Sequence, residues 1–153
     1  MIAKPLRLVC VGRLKTPYWR EACAVYEKRL SRFRRLQVTE VKDAASDDRV
    51  QVEAGRLLEA LPSSDRLIVL DERGKDLTSP GLAALLDKGD ALGQGHMSFV
   101  IGGPFGLDQS VRDRAWFLLR LSALTLPHEL ARVLLMEQLY RAECLRNHVP
   151  YHH

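Results

Sequence analysis

Little in this chain is built for a membrane, a metal or a disulfide. No apolar run approaches the ~18 residues a membrane-spanning helix needs. The opening Met1-Ile2-Ala3-Lys4-Pro5 has neither the apolar stretch nor the small-residue cleavage site of a secretion signal, so the expected location is the cytoplasm. Cysteine is scarce: Cys10, Cys23 and Cys144 are widely spaced and odd in number, with no Cys-x-x-Cys pair. That excludes a zinc knuckle or redox motif and leaves buried, reduced thiols as the expectation. His148, His152 and His153 crowd the C-terminus, but without a neighbouring carboxylate they make a poor metal site, and no metal is expected. Both common phosphate-binding fingerprints are missing too, since neither G-x-G-x-x-G nor a Gly-Lys-Ser/Thr loop occurs.

What is present is enough apolar material for a real core. With 153 residues, 46% of them hydrophobic, the chain fits one domain spanning 1–153. The net charge of +4 is unevenly spread: residues 1–42 hold 11 Lys+Arg against 3 Asp+Glu, whereas residues 43–100 hold 6 against 11. The basic surplus gathers in Lys28, Arg29, Arg32, Arg34 and Arg35, with Arg13, Lys15 and Arg20 nearby. A charge run is commonly just a solvated face. This one lacks acidic interleaving, which favours contacts to RNA phosphates.

Short apolar runs alternate with helical periodicity. Leu6–Val11, Leu36–Val41, Leu67–Leu70, Met97–Ile101 and Trp116–Leu121 read as strands. Pro17 to about Leu30, a segment from Ser46-Asp47-Asp48 to Pro62, Ser79-Pro80 to about Leu92, one or two turns at 109–114, and His128 to Arg146 read as helices. Ser79 is the expected N-cap of the third helix. Such alternation predicts an α/β domain with a mostly parallel sheet flanked by helices.

Three segments carry chemistry. Ile101-Gly102-Gly103-Pro104-Phe105-Gly106-Leu107 follows a strand, where α/β proteins bind ligands and where glycine lets backbone approach them; a plain tight turn is the alternative. Leu121-Ser122-Ala123-Leu124-Thr125-Leu126-Pro127 is too apolar for an ordinary solvated loop. It is expected to be buried, with spare backbone groups suited to a flat heterocycle, unless it merely continues a strand. The last helix carries Leu130, Val133, Leu134, Leu135, Met136, Leu139, Tyr140 and Leu145 around most of its circumference, so it is expected to be buried on nearly all sides, against the sheet and against a partner subunit. Glu137 and Arg141, four apart, are placed to pair, either as a structural ion pair or around a ligand.

Together these motifs resemble the RlmH family of SPOUT-class RNA methyltransferases. The carrying residues are Ile101–Leu107, the Leu121–His128 loop, Glu137-Gln138-Leu139-Tyr140-Arg141-Ala142, the Pro150-Tyr151-His152 end, Val9–Lys15 and Tyr26–Leu30, and the likeness spans nearly the whole chain. The resemblance implies a C-terminal trefoil knot, a homodimer, and S-adenosylmethionine held by Leu70, Gly103, Ser122, Ala123, Leu124, Thr125, Leu126 and Pro127. It implies as substrate a pseudouridine of large-subunit ribosomal RNA, methylated on N3 on the assembled ribosome. Tyr151, His152, Arg141 and Glu137 are then the candidates for ordering the base and handling its proton, with His128 and Arg132 behind them. A SPOUT enzyme acting on another RNA such as transfer RNA, and a non-enzymatic RNA-binding factor keeping the same fold, are the competing possibilities.

Overall fold

The computed structural model describes residues 3–153; Met1 and Ile2, where the segment expected to lack a secretion signal begins, lie outside the described residues. Among the described residues five strands alternate with five helices: β1 (Leu6–Val11), α1 (Pro17–Leu30), β2 (Leu36–Val41), α2 (Arg49–Ala60), β3 (Arg66–Asp76), α3 (Ser79–Ala91), β4 (Met97–Ile101), α4 (Gln109–Asp113), β5 (Ala115–Arg120) and α5 (His128–Arg146). The order is the one periodicity predicts. Every strand pair is parallel, in the order β2-β1-β4-β3-β5.

The period-two geometry of a strand sends alternate side chains to opposite faces, and both faces are covered. Leu6, Leu8 and Cys10 of β1 and Met97, Phe99 and Ile101 of β4 join one core with α1, α3 and α5. Val9, Val11 and Val100 join a second core with Ala54, Leu57 and Leu61 around α2 and Val111 of α4. This is why the strands read as continuous apolar runs instead of alternating ones. Cys10, Cys23 and Cys144 are free and buried, and burial pushes the Cys10 thiol up to about 12.

Two expectations about these elements need correction. β3 does not stop at Leu70: it bulges across Asp71–Gly74 and pairs with β5 again, Lys75 opposite Leu119 and Asp76 opposite Arg120. The continuation is polar, so hydrophobicity does not mark it. Only glycine fits at position 74, because a Cβ there would lie 2.7 Å from the backbone of Leu118 and Leu119. Thr78, not Ser79, caps α3 by accepting a hydrogen bond from Gly81 N–H (3.0 Å); Ser79 donates to Gln138 Oε1 (2.6 Å). Within its own chain α5 buries one side, and the other is the side expected to meet a partner subunit. Leu135, Met136, Leu139 and Ala142 are buried beneath it, whereas Leu130, Leu134, Gln138 and Arg141 form a half-exposed outer stripe.

At the amino ends of the strands the structure is closed by charge. Arg34 is 1% exposed. Its guanidinium donates to Lys4 O (2.9 Å) and to both oxygens of Asp90 (3.0 Å each), and it faces Glu143 at 3.5 Å. Arg146 pairs with Asp90 and Asp87, at 2.7 Å each, and with Glu143. Arg34 is therefore removed from the expected RNA-contacting cluster: an isolated buried guanidinium is prohibitive, and this one is satisfied inward. A second closure sets the buried Asp65 against Arg7 (2.9 Å), Ser98 Oγ (2.7 Å) and His96 N–H (3.1 Å).

Candidate active site

The opposite end of the sheet, where the strands finish, is open. β4 ends at Ile101 and the chain turns at once, with Gly106 N–H donating to Gly103 O (3.1 Å). Pro104 takes the second position of this turn, where its fixed φ is an advantage, and Gly106 adopts φ +90°. Gly103 is needed for proximity: a Cβ there would stand 3.1 Å from Glu53 Oε1 and 3.3 Å from Val11 Cγ1. The buried Leu107 then anchors the turn to the core. Asp108 caps α4 through Ser110 N–H (3.1 Å).

The loop after β5 returns to the same place. The glycine turn, the bulge of β3 and this loop line a cavity of about 1030 Å³. All eight residues expected to hold a cofactor, Leu70, Gly103 and Ser122 through Pro127, lie in its wall, and His128 joins them from the first position of α5. In one respect the loop departs from expectation. It is not buried: Ala123, Thr125 and Pro127 are exposed, and Leu124 is 77% exposed. Its apolar side chains form the lip of an open hollow. Leu124 N–H donates to Ser122 Oγ (2.9 Å); among the described residues no other hydrogen bond ties the backbone of 122–126 to the protein. These groups remain available to a ligand, which suits a polar heterocycle in an otherwise apolar hollow.

The cavity wall also holds charge that sequence patterns did not single out. Asp71 and Arg112 pair at 2.6 Å with little exposure, and Arg73 N–H donates to Asp71 Oδ1 (2.8 Å). The one available signal was an acid directly after an apolar strand. Glu53 of α2 is buried beneath the glycine turn. One carboxylate oxygen accepts from Ala44 N–H (3.0 Å) and the other has no partner. Its place on α2, among residues read simply as an amphipathic helix, concealed it.

The four residues expected to handle the base meet elsewhere. After α5 the chain reverses at His148, φ 58°, and Val149 N–H donates to Cys144 O (2.8 Å). Tyr151 thereby reaches Glu137 Oε2 with its hydroxyl (2.8 Å). Arg141 pairs with Glu137 at 2.8 Å, lies 4.7 Å from the centre of the Tyr151 ring, and sits 3.2 Å from His152 Nδ1. Burial and the adjoining Glu137 carboxylate push the Tyr151 phenol up to about 12, so it stays protonated at neutral pH. None of the four lines the cavity of its own chain. Arg132 is occupied elsewhere: buried, it pairs with Glu40 (2.6 Å) and donates to Gly12 O (3.2 Å), which makes it a brace between α5 and β1–β2. Lys28, Arg29, Arg32 and Arg35 are exposed at the end of α1, on the side of the sheet's amino ends and away from the cavity.

Comparison with known proteins places these features in a family. The model of the family described as "Predicted SPOUT methyltransferase" matches residues 5–152. Among curated relatives, "Ribosomal RNA large subunit methyltransferase H" of Desulfovibrio desulfuricans is 53% identical with both chains covered in full. The protein of the same name from Solidesulfovibrio magneticus is 50% identical over 98% of this chain and 99% of its own. The one from Oenococcus oeni is 40% identical over 96% and 98%. Among solved structures, one described as a probable methylase family protein of Haemophilus influenzae superposes with a TM-score of 0.61 at 15% identity, covering 97% of this chain and 70% of that one. At that identity the likeness speaks for the fold alone.

Proposed function

The chain belongs to the SPOUT methyltransferase family, and from that premise we propose that it transfers a methyl group from S-adenosylmethionine to N3 of a pseudouridine in large-subunit ribosomal RNA, on the assembled ribosome in the cytoplasm. The observation that carries this reading is the convergence of Leu70 at the β3 bulge, Gly103 after β4 and Ser122–Pro127 after β5 on one cavity. The full-length curated relatives named for large-subunit ribosomal RNA support the substrate.

The wall fits the donor. Free backbone groups in 122–126 suit adenine, and the absence of a Cβ at Gly103 lets the turn pack closely over Glu53 and Val11 and so sets the cavity floor. When bound, S-adenosylmethionine supplies an electrophilic methyl group on a sulfonium. The protein's own part is to hold the base in line, which contributes about 7–11 kcal/mol, and to accept the N3 proton. Within one chain only His128 of the candidates lies at the cavity. Tyr151, His152, Arg141 and Glu137 form a unit of their own, so we assign them to the cavity of a second copy. In that homodimer the outer stripe of Leu130, Leu134, Gln138 and Arg141 supplies the contact surface. The neutral Tyr151 hydroxyl and the Arg141 charge orient the base, and His152 takes its proton. Lys28, Arg29, Arg32 and Arg35 contact phosphates. The C-terminal knot belongs to the same proposal.

Mass mapping of ribosomal RNA from cells with and without the protein tests the reaction. One methyl group lost from one large-subunit pseudouridine is the expected result; an unaltered map would overturn it. Methylation of purified ribosomes but not of transfer RNA separates the substrates. His152→Ala should abolish turnover and leave donor binding intact.

A further inference from the structure

One exposed aromatic at the cavity has no role in the scheme above. Phe105, at the tip of the glycine turn, is 64% exposed although it lines the cavity. Arg49, the first residue of α2, places its guanidinium 4.1 Å from the centre of the Phe105 ring. The guanidinium is itself fixed, since its Nε donates to Ser46 O (3.0 Å). One face of the ring is thus covered by a pinned cation and the remainder lies open. Leu124, another residue of the cavity wall, is 77% exposed. Scattered exposed apolar residues are ordinary, but two in the wall of one cavity mark a surface suited to a ligand.

We propose that Phe105, backed by Arg49, is a stacking platform for an unpaired nucleobase of the RNA substrate at the mouth of the cavity. Three considerations select this occupant. An aromatic ring with an open face, supported behind by a guanidinium, is the surface on which proteins stack unstacked RNA bases. The platform is continuous with the methyl-donor cavity, so a base held on it lies next to the one being modified. An enzyme working on a base in a structured RNA must also hold that base, or its neighbour, out of its stack. The assignment rests on the RNA-methylating function proposed above.

The test is steady-state methylation of purified ribosomes by the full-length protein, with donor affinity measured by calorimetry and association state by sedimentation. Phe105→Ala should raise KM for the ribosome by about tenfold, the scale of one lost base stack, with donor affinity and association state unchanged. Phe105→Tyr should restore the wild-type KM, and Arg49→Gln should give a smaller increase in the same direction. An unchanged KM in Phe105→Ala would overturn the platform. So would a parallel loss of donor affinity, which makes the ring a donor contact, or an altered association state, which makes it a contact between copies. If the wild-type protein methylated no ribosome, the functional proposal would fall and this one with it; normal methylation that Phe105→Ala leaves untouched would remove the platform alone.

Discussion

The two ends of the sheet are made in opposite ways. At the amino ends, Arg34, Asp90, Glu143 and Arg146 interlock, and Asp65 ties Arg7, His96 and Ser98 together. At the carboxyl ends the chain turns on glycine, exposes Phe105 and Leu124, and leaves loop backbone and one Glu53 oxygen unpartnered. The closed end commits its charges to one another; the open end, beside its Asp71–Arg112 pair, leaves the backbone of 122–126 largely unpaired and Phe105 and Leu124 uncovered. The contrast teaches that a parallel sheet can keep its carboxyl end open for a ligand, since helices and ion pairs complete the other end without obstructing anything.

The comparison breaks most easily at Arg34. Arg34→Met leaves Asp90 and Glu143 without their buried partner and should cost about 3–5 kcal/mol in chemical denaturation, while the molecules that remain folded bind donor normally. A negligible cost would mean that the closed end is not what holds the fold. Next in size is Gly103→Val, which drives a branched side chain toward Glu53 and Val11. Donor affinity should fall more than tenfold by calorimetry, with a smaller stability loss of about 1–3 kcal/mol from overpacking. The two substitutions should thus separate stability from binding in opposite senses.

Acid sharpens the same contrast. Burial opposes the charge of Asp90, but Arg34 and Arg146 outweigh it and hold the carboxyl below its ordinary value of 3.8. A depressed folded-state value means that its contribution is complete above the unfolded value and is lost as pH falls through the folded one. Hydrogen exchange in the last turns of α3 and α5 should therefore stay slow through neutral and mildly acidic pH and accelerate only below about pH 4. In the tail, Glu137→Gln should bring the Tyr151 phenol down from about 12 toward 10 in an ultraviolet titration. The smallest effect on stability belongs to Leu124→Ser. At 77% exposure it should alter unfolding by less than about 0.5 kcal/mol yet weaken donor binding measurably.

Much of this molecule was legible in the order of its residues. Two-sided burial of the strands shows in their unbroken apolar runs, and helix ends show in Pro17, Pro80 and Pro127. The glycine turn and the Ser122–Pro127 loop stood out because each violates what a plain loop should contain. Direction was not legible. Arg34 and Arg35 are neighbours of the same sign, yet one enters the core and the other faces solvent, because only the turn after Leu30 decides which guanidinium meets Asp90. Glu53 and Arg112 were hidden likewise, since their partners lie outside their own helices: Ala44 for one, Asp71 for the other. The apolar loop was expected inside and sits at a rim, since hydrophobicity records that a surface will be covered but not by what.

By itself, then, the sequence determined the parallel α/β layering, the place of the helices and the two segments that form the cavity. Each follows from local periodicity and from the backbone freedom of particular glycines. Only the tertiary structure decided which charges face inward, where β3 meets β5 a second time, and that the Tyr151 cluster stands apart from its own chain's cavity. Those outcomes depend on contacts between residues tens of positions apart, whose energies exist only once the sheet has brought them within reach.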